Sequence, residues 1–135
     1  MPEAAKKRRE FRNIHVTQLA KYRLPLAGLV SILHRISGLL MFLLLPFILY
    51  LLDASLASES TFNYLSTFSQ HVLVKLIILM LVWAYLHHFF AGLRHLAMDV
   101  HMGLDKDSSR QSAAGVFLIS IPVAALVALK LFGVF

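Results

Sequence analysis

The stretch Leu26-AGLVSILHRISGLLMFLLLPFILYL-Leu52 decides the fold of this chain. It is apolar apart from a few polar side chains in its first half, and about 20 helical residues are enough to cross the ~30 Å hydrocarbon core of a bilayer. Two later stretches are similarly apolar. We therefore predict an all-α integral membrane protein with three transmembrane helices at about residues 26–52, 69–98 and 114–135, which together form one domain over residues 26–135.

The composition agrees with a membrane location and excludes several kinds of chemistry. Of the 135 residues, 59% are hydrophobic, so that most of the apolar surface must meet lipid or partner helices. The chain has no cysteine. Disulfides, thiolate metal sites and cysteine nucleophiles are therefore excluded.

Residues 1–25 form a basic arm in front of the first predicted span. In a soluble protein such a run could bind nucleic acid. Beside a membrane span it indicates an orientation signal that also meets anionic lipid headgroups, and we expect no nucleic-acid partner. A cleaved signal peptide is disfavoured because the apolar run that follows is longer than a signal sequence requires. The basic residues of the arm are Lys6, Lys7, Arg8, Arg9, Arg12, Lys21 and Arg23.

The distribution of lysine and arginine predicts the topology. The connection from Asp53 to Gln70 contains neither residue, whereas the connection from Asp99 to Ser112 contains Lys106 and Arg110. By the positive-inside rule, the N-terminus is cytoplasmic and the C-terminus lies on the far side. The absence of a transit-peptide pattern favours a bacterial inner (plasma) membrane over the mitochondrial inner membrane.

This topology places two polar clusters at the same depth. His34 lies near the start of the first span, and His88 lies a similar distance before the end of the second, which returns to the same side. At 1.5 Å per residue, both histidines are roughly 12–15 Å inside one leaflet. Ionisable groups at such a depth usually face a bundle interior and serve an ion, a cofactor or a substrate.

On the second helix, a stripe of spacing i, i+4, i+7, i+11 contains His88, Gly92, His95 and Asp99. Imidazole is a common ligand of haem iron, and glycine lets a flat macrocycle approach closely. Arg94 is adjacent and could meet haem propionates. Because His88 and His95 are about 10.5 Å apart along the axis, the second axial ligand must come from another helix or chain. Alternatively, the histidines only hydrogen-bond across the bundle.

On the first helix, Gly28, Ser31, Arg35 and Gly38 form a stripe flanked by His34. A hydroxyl and a guanidinium four residues apart project together, and they suit a quinone, whose carbonyl oxygens need donors and whose reduced forms carry negative charge. The alternative is that the small residues only permit close helix packing. Arg35 argues against packing alone, because an intramembrane guanidinium must find an anion or water.

Both clusters resemble motifs of the cytochrome b556 membrane-anchor subunit of succinate dehydrogenase (respiratory complex II). The first, Ser-x-x-His-Arg-x-[Ser/Thr]-Gly, corresponds to residues 31–38. The second, His-x-x-x-Gly-[Ile/Leu]-Arg-His-Leu-x-x-Asp, corresponds to residues 88–99. The resemblance covers about residues 22–110 and departs from the family at His101, where glycine is frequent.

The resemblance implies a role in passing electrons from succinate to the quinone pool of the respiratory chain. It implies that the three helices pack with a second hydrophobic anchor subunit and that the two chains jointly hold haem b. The other expected partners are an iron–sulfur subunit and a flavoprotein subunit. It implies the following roles: His88 as an axial ligand of the haem iron, His34, Arg35 and His95 around the haem edge and propionates, and Ser31 and Arg35 in a ubiquinone site.

Two other classes of function remain as alternatives. A purely structural anchor would hold neither haem nor quinone. A proton-conducting or transport subunit would use the histidines as a relay, but it should carry acidic residues across the whole membrane depth, and the inner parts of the spans contain none.

Overall fold

The computed structural model describes residues 15–134, and within this range it contains five helices and no strand. The long helices α2, α4 and α5 are each apolar and long enough to cross a membrane, as predicted. They contact one another pairwise. The part of the basic arm before His15 lies outside the described residues. The helices are α1 (Val16–Lys21), α2 (Leu26–Ala57), α3 (Glu59–Ser69), α4 (Val72–Asp99) and α5 (Lys106–Leu131).

The helices extend into polar sequence beyond the predicted apolar spans. α2 continues past Leu52 to Ala57, and α5 begins at Lys106. The start of α5 is set by Asp105, whose carboxylate accepts a hydrogen bond of 2.9 Å from the backbone N–H of Ser108. This bond holds the pKa of the exposed Asp105 below its usual value. Capping by polar residues, which a hydropathy pattern does not register, therefore sets this boundary.

The first polar connection contains a helix of its own, α3. Its sequence, ESTFNYLSTFS, contains enough serine, threonine and asparagine to resemble a loop. Ser58 caps α3 by accepting a hydrogen bond of 3.2 Å from the N–H of Thr61. The polar composition of this connection did not predict the helix.

Burial in the bundle is inverted relative to a soluble protein. The fully buried positions carry small or polar side chains, such as Ala91, Ala113 and Ser120, whereas Phe42 is 72% exposed and Leu118 is 73% exposed. Large apolar side chains that face outward on all three long helices are typical of helices solvated by lipid. Small residues between the helices let the backbones approach closely.

Just after α4 ends at Asp99, one residue adopts a left-handed conformation. His101 has φ 63°, its N–H donates to the carbonyl of Met98, and the N–H of Met102 donates to the carbonyl of Ala97. This is the Schellman arrangement, in which the left-handed position is usually occupied by glycine. A glycine at this position would relieve the backbone.

Candidate functional site

α2 and α4 bring three imidazole rings together in what we call the histidine cluster: His34, His88 and His95. The rings of His34 and His88 are stacked, with centroids 4.1 Å apart and planes 14° from parallel. The rings of His34 and His95 are tilted, with centroids 5.0 Å apart. The two polar segments, which are far apart in the sequence, therefore meet at one level of the bundle.

Gly92 makes room for this arrangement on α4. A Cβ atom at Gly92 would lie 3.5 Å from Nε2 of His34, so the ring of His34 packs directly over the glycine. His88 and His95, on either side of Gly92, enclose the same ring. The side chain of His34 on α2 therefore packs onto the stripe of α4 that contains His88, Gly92 and His95.

His88 is bound to α2 through a single ring nitrogen. Its Nδ1 lies 3.0 Å from the carbonyl oxygen of His34 and 3.2 Å from Oγ of Ser37. Among the described residues, no hydrogen bond reaches Nε2. A carbonyl oxygen can only accept, so Nδ1 carries the proton, and the lone pair is left on Nε2.

Gly38 is the point of closest approach between the α2 backbone and the His88 ring. A Cβ atom at this position would lie 2.8 Å from Cε1 of His88 and 3.3 Å from its Nδ1. Contacts under 3.0 Å are essentially absent for real Cβ atoms. The ring can occupy this position because residue 38 has no side chain.

Ser31 and Arg35 form a second polar pair on α2, next to the histidine cluster in the sequence. The guanidinium of Arg35 donates a hydrogen bond of 3.2 Å to Oγ of Ser31. Since Oγ accepts this bond, its own hydrogen remains available for an acceptor outside the chain. Arg35 is exposed, and no carboxylate of the described residues pairs with it. The pair therefore presents donors and a positive charge on the bundle surface.

Arg94 faces a different helix from its neighbour His95. It is 8% exposed and faces α5, where its Nε donates to Oγ of Ser112 at 3.0 Å and its Nη2 donates to Oγ of Ser109 at 2.9 Å. In this structure the guanidinium therefore bonds to α5, and a contact between Arg94 and haem propionates stays a prediction. Adjacent residues on a helix point about 100° apart, so His95 can face α2 while Arg94 faces α5.

His87 is a buried residue of α4 to which the sequence pattern assigned no role. Its ring is 1% exposed and lies between Trp83 and Phe117, with centroid distances of 5.4 Å and 5.2 Å. Neither ring nitrogen makes a hydrogen bond among the described residues. The backbone of Val30 is a polar group close to the ring. A signal was present: Ala84, His87, Ala91 and Arg94 are the buried residues of α4 and share one face.

The cluster does not form a metal site from protein ligands alone. No group of three or more His, Cys, Asp or Glu side chains in residues 15–134 is arranged to hold an ion. A haem iron needs fewer protein ligands, since the macrocycle supplies four nitrogens and each chain can contribute one imidazole. His88 fits that requirement, because its Nε2 makes no hydrogen bond among the described residues.

Comparisons with known proteins identify the family. Residues 9–127 match the model of the succinate dehydrogenase/fumarate reductase transmembrane subunit. The chain is 40% identical over 103 residues to the succinate dehydrogenase cytochrome b556 subunit of Coxiella burnetii, covering 76% of this chain and 82% of that protein. It is 32% identical over 114 residues to the subunit of the same name from Paracoccus denitrificans, covering 84% and 88%. The chain therefore belongs to the succinate dehydrogenase/fumarate reductase transmembrane subunit family.

Proposed function

We propose that this chain is the cytochrome b556 membrane-anchor subunit of a bacterial succinate dehydrogenase, with His88 as an axial ligand of haem b. The observation that carries the proposal is the state of His88: Nδ1 is engaged with α2, and Nε2 is left to coordinate. The names of the relatives, which are cytochrome b556 subunits, support the same conclusion. When bound, haem b supplies a one-electron redox centre.

The positive charge of Arg35 suits the anionic edge of a haem. Arg35 follows His34 in the sequence and has no carboxylate partner among the described residues. Two propionates would satisfy such a charge, and the rings of His34 and His95 can donate hydrogen bonds to the same groups. We assign His34, Arg35 and His95 to the haem edge, and the partner anchor subunit would supply the second ligand of the iron.

Ser31 and Arg35 are proposed to bind ubiquinone. The Ser31 hydroxyl, which accepts from Arg35, donates its own hydrogen to a quinone carbonyl. The guanidinium stabilises the negative charge that develops when the quinone is reduced. Because Arg35 is assigned to both proposed sites, one cation would serve both. Reduction to the quinol consumes two electrons and two protons, and the electrons come from the iron–sulfur subunit.

The charge pattern supports the proposed orientation and location. With the arm of residues 1–25 and the α4–α5 connection on the cytoplasmic face of a bacterial inner membrane, the polar layer lies beneath the surface where the iron–sulfur and flavoprotein subunits dock. The C-terminus then lies on the far side. The large apolar side chains that face outward are left for lipid and for the second anchor subunit.

The proposal is tested by purifying the native assembly from membranes. We expect a flavoprotein, an iron–sulfur protein and a second small hydrophobic chain to co-purify, with b-type bands in the reduced-minus-oxidised spectrum. If all three chains co-purify but the b-type bands are absent, the chain is a structural anchor without haem, and the haem assignment is wrong. A chain that purifies without any of these partners would contradict the assignment.

A further inference from the structure

The contacts that His88 makes with α2 determine which of its two ring nitrogens carries the proton and which keeps a free lone pair. Nδ1 faces two oxygens at 3.0 and 3.2 Å, the carbonyl of His34 and the hydroxyl of Ser37. The hydroxyl of Ser37 itself donates to the carbonyl of His34 at 2.9 Å. Its hydrogen is therefore directed away from the ring, and its lone pair faces Nδ1. Both oxygens present acceptors, which stabilises the tautomer with the proton on Nδ1.

The close approach at Gly38 fixes where the ring can sit. A Cβ atom 2.8 Å from Cε1 and 3.3 Å from Nδ1 would force the imidazole or the backbone to shift, and a shift of the ring changes its distances to both oxygens. The stacked ring of His34 limits movement on the face of His88 that it covers. The ring is thus held by the backbone at Gly38, by the two oxygens and by one aromatic face. Ser37 is buried, so water does not compete freely for these bonds.

We propose that Ser37 and Gly38 are positioning residues for His88, which hold its Nδ1–H tautomer and direct Nε2 towards the haem iron. This inference rests on the proposed function, because it presupposes His88 as the axial ligand. A ligating imidazole that donates its other N–H to an oxygen is oriented by that bond and becomes more basic. The greater basicity favours the ferric iron, so loss of the bond shifts the haem potential to a more positive value.

The test uses the whole purified complex and reads haem content and haem potential as well as activity. Gly38→Ala is expected to weaken haem retention by roughly 10- to 100-fold, the usual effect of disturbing a residue that orients a metal ligand. Gly115→Ala is the matched control, because a Cβ atom there has nothing within 4 Å. Alanine favours helix over glycine, so poorer helix formation would not explain a loss at position 38.

A second pair of variants keeps the test valid if Gly38→Ala fails to assemble. Ser37→Ala removes a single oxygen and is expected to shift the haem potential to a more positive value. Ser37→Thr retains the hydroxyl and should return the potential towards that of the parent. Parental haem content and potential in both Gly38→Ala and Ser37→Ala would overturn the inference. Failure of the proposed function would be seen separately, as parental haem in His88→Ala.

Discussion

The imidazole rings of His34 and His88 lie face to face, 4.1 Å between centroids, although 54 residues of sequence separate them. The same pair is joined by the hydrogen bond between Nδ1 of His88 and the carbonyl oxygen of His34. One residue of α2 therefore contacts His88 through both its ring and its backbone. This relationship links the two motifs into a single site, and the predictions below depend on it.

Substitution of Ser31 or Arg35 should slow the reduction of ubiquinone without slowing the oxidation of succinate. Ser31→Ala and Arg35→Leu each remove a donor from the pair, and loss of one bond to a charged group lowers a rate by roughly 10- to 100-fold. We expect succinate:ubiquinone reductase activity to fall by this factor, while electron transfer from succinate to a soluble artificial acceptor stays unchanged. Ser55→Ala is the control, since Ser55 lies on the same helix and, among residues 15–134, bonds only to the carbonyl of Leu52. Normal ubiquinone reduction in both variants would contradict the assignment.

Arg94 should matter for the stability of the α4–α5 pair. Its guanidinium donates to Ser109 and Ser112, and a buried hydrogen bond to a charged group contributes about 1.5–3 kcal/mol. Arg94→Gln is therefore expected to lower the thermal midpoint of the complex. Arg110→Gln, which changes an exposed arginine of α5, should leave the midpoint near that of the parent. An unchanged midpoint in Arg94→Gln with loss of haem would instead indicate a contact with propionates.

His101 should be replaceable by glycine with a gain in stability. Its φ of 63° lies in the left-handed region, which costs a residue other than glycine roughly 1–2 kcal/mol. We expect His101→Gly to raise the free energy of unfolding by up to about 1 kcal/mol, since glycine loses more chain entropy on folding. His101→Val should lower it, because a branched side chain tolerates this conformation poorly. Chemical denaturation in detergent measures both, and a decrease in His101→Gly would refute the prediction.

His87 should tolerate a purely apolar ring. A buried polar group without a partner costs about 1–3 kcal/mol, and the flanking rings of Trp83 and Phe117 offer an aromatic environment. His87→Phe is expected to leave the thermal midpoint unchanged or to raise it, with parental haem content. A marked destabilisation would mean that His87 has a polar partner in the assembled complex.

The sequence predicted the three long helices because apolar length alone defines a membrane span. It also predicted that His34 and His88 share a level, since depth follows from the rise per residue. It did not predict α3, whose polar composition resembles a loop, or the start of α5 at Lys106, which depends on the cap. Hydropathy carries no information on either feature.

The rotation of α4 about its axis was also not determined by the sequence. Histidines and arginine lie on neighbouring faces of this helix, so the pattern could not decide which of Arg94 and His95 turns towards α2. Packing resolves the choice, because the serines of α5 bond Arg94 and His34 of α2 packs beside His95. The roles of the site residues in haem and quinone binding stay predictions.

The most direct measurement of the central claim is the reduced-minus-oxidised spectrum of the complex that carries His88→Gly, recorded with and without added imidazole. We predict that the b-type bands are lost or strongly perturbed and return in part when imidazole fills the vacated space, whereas His87→Phe retains them throughout. Parental b-type bands in His88→Gly without imidazole would contradict the claim that His88 holds the haem iron.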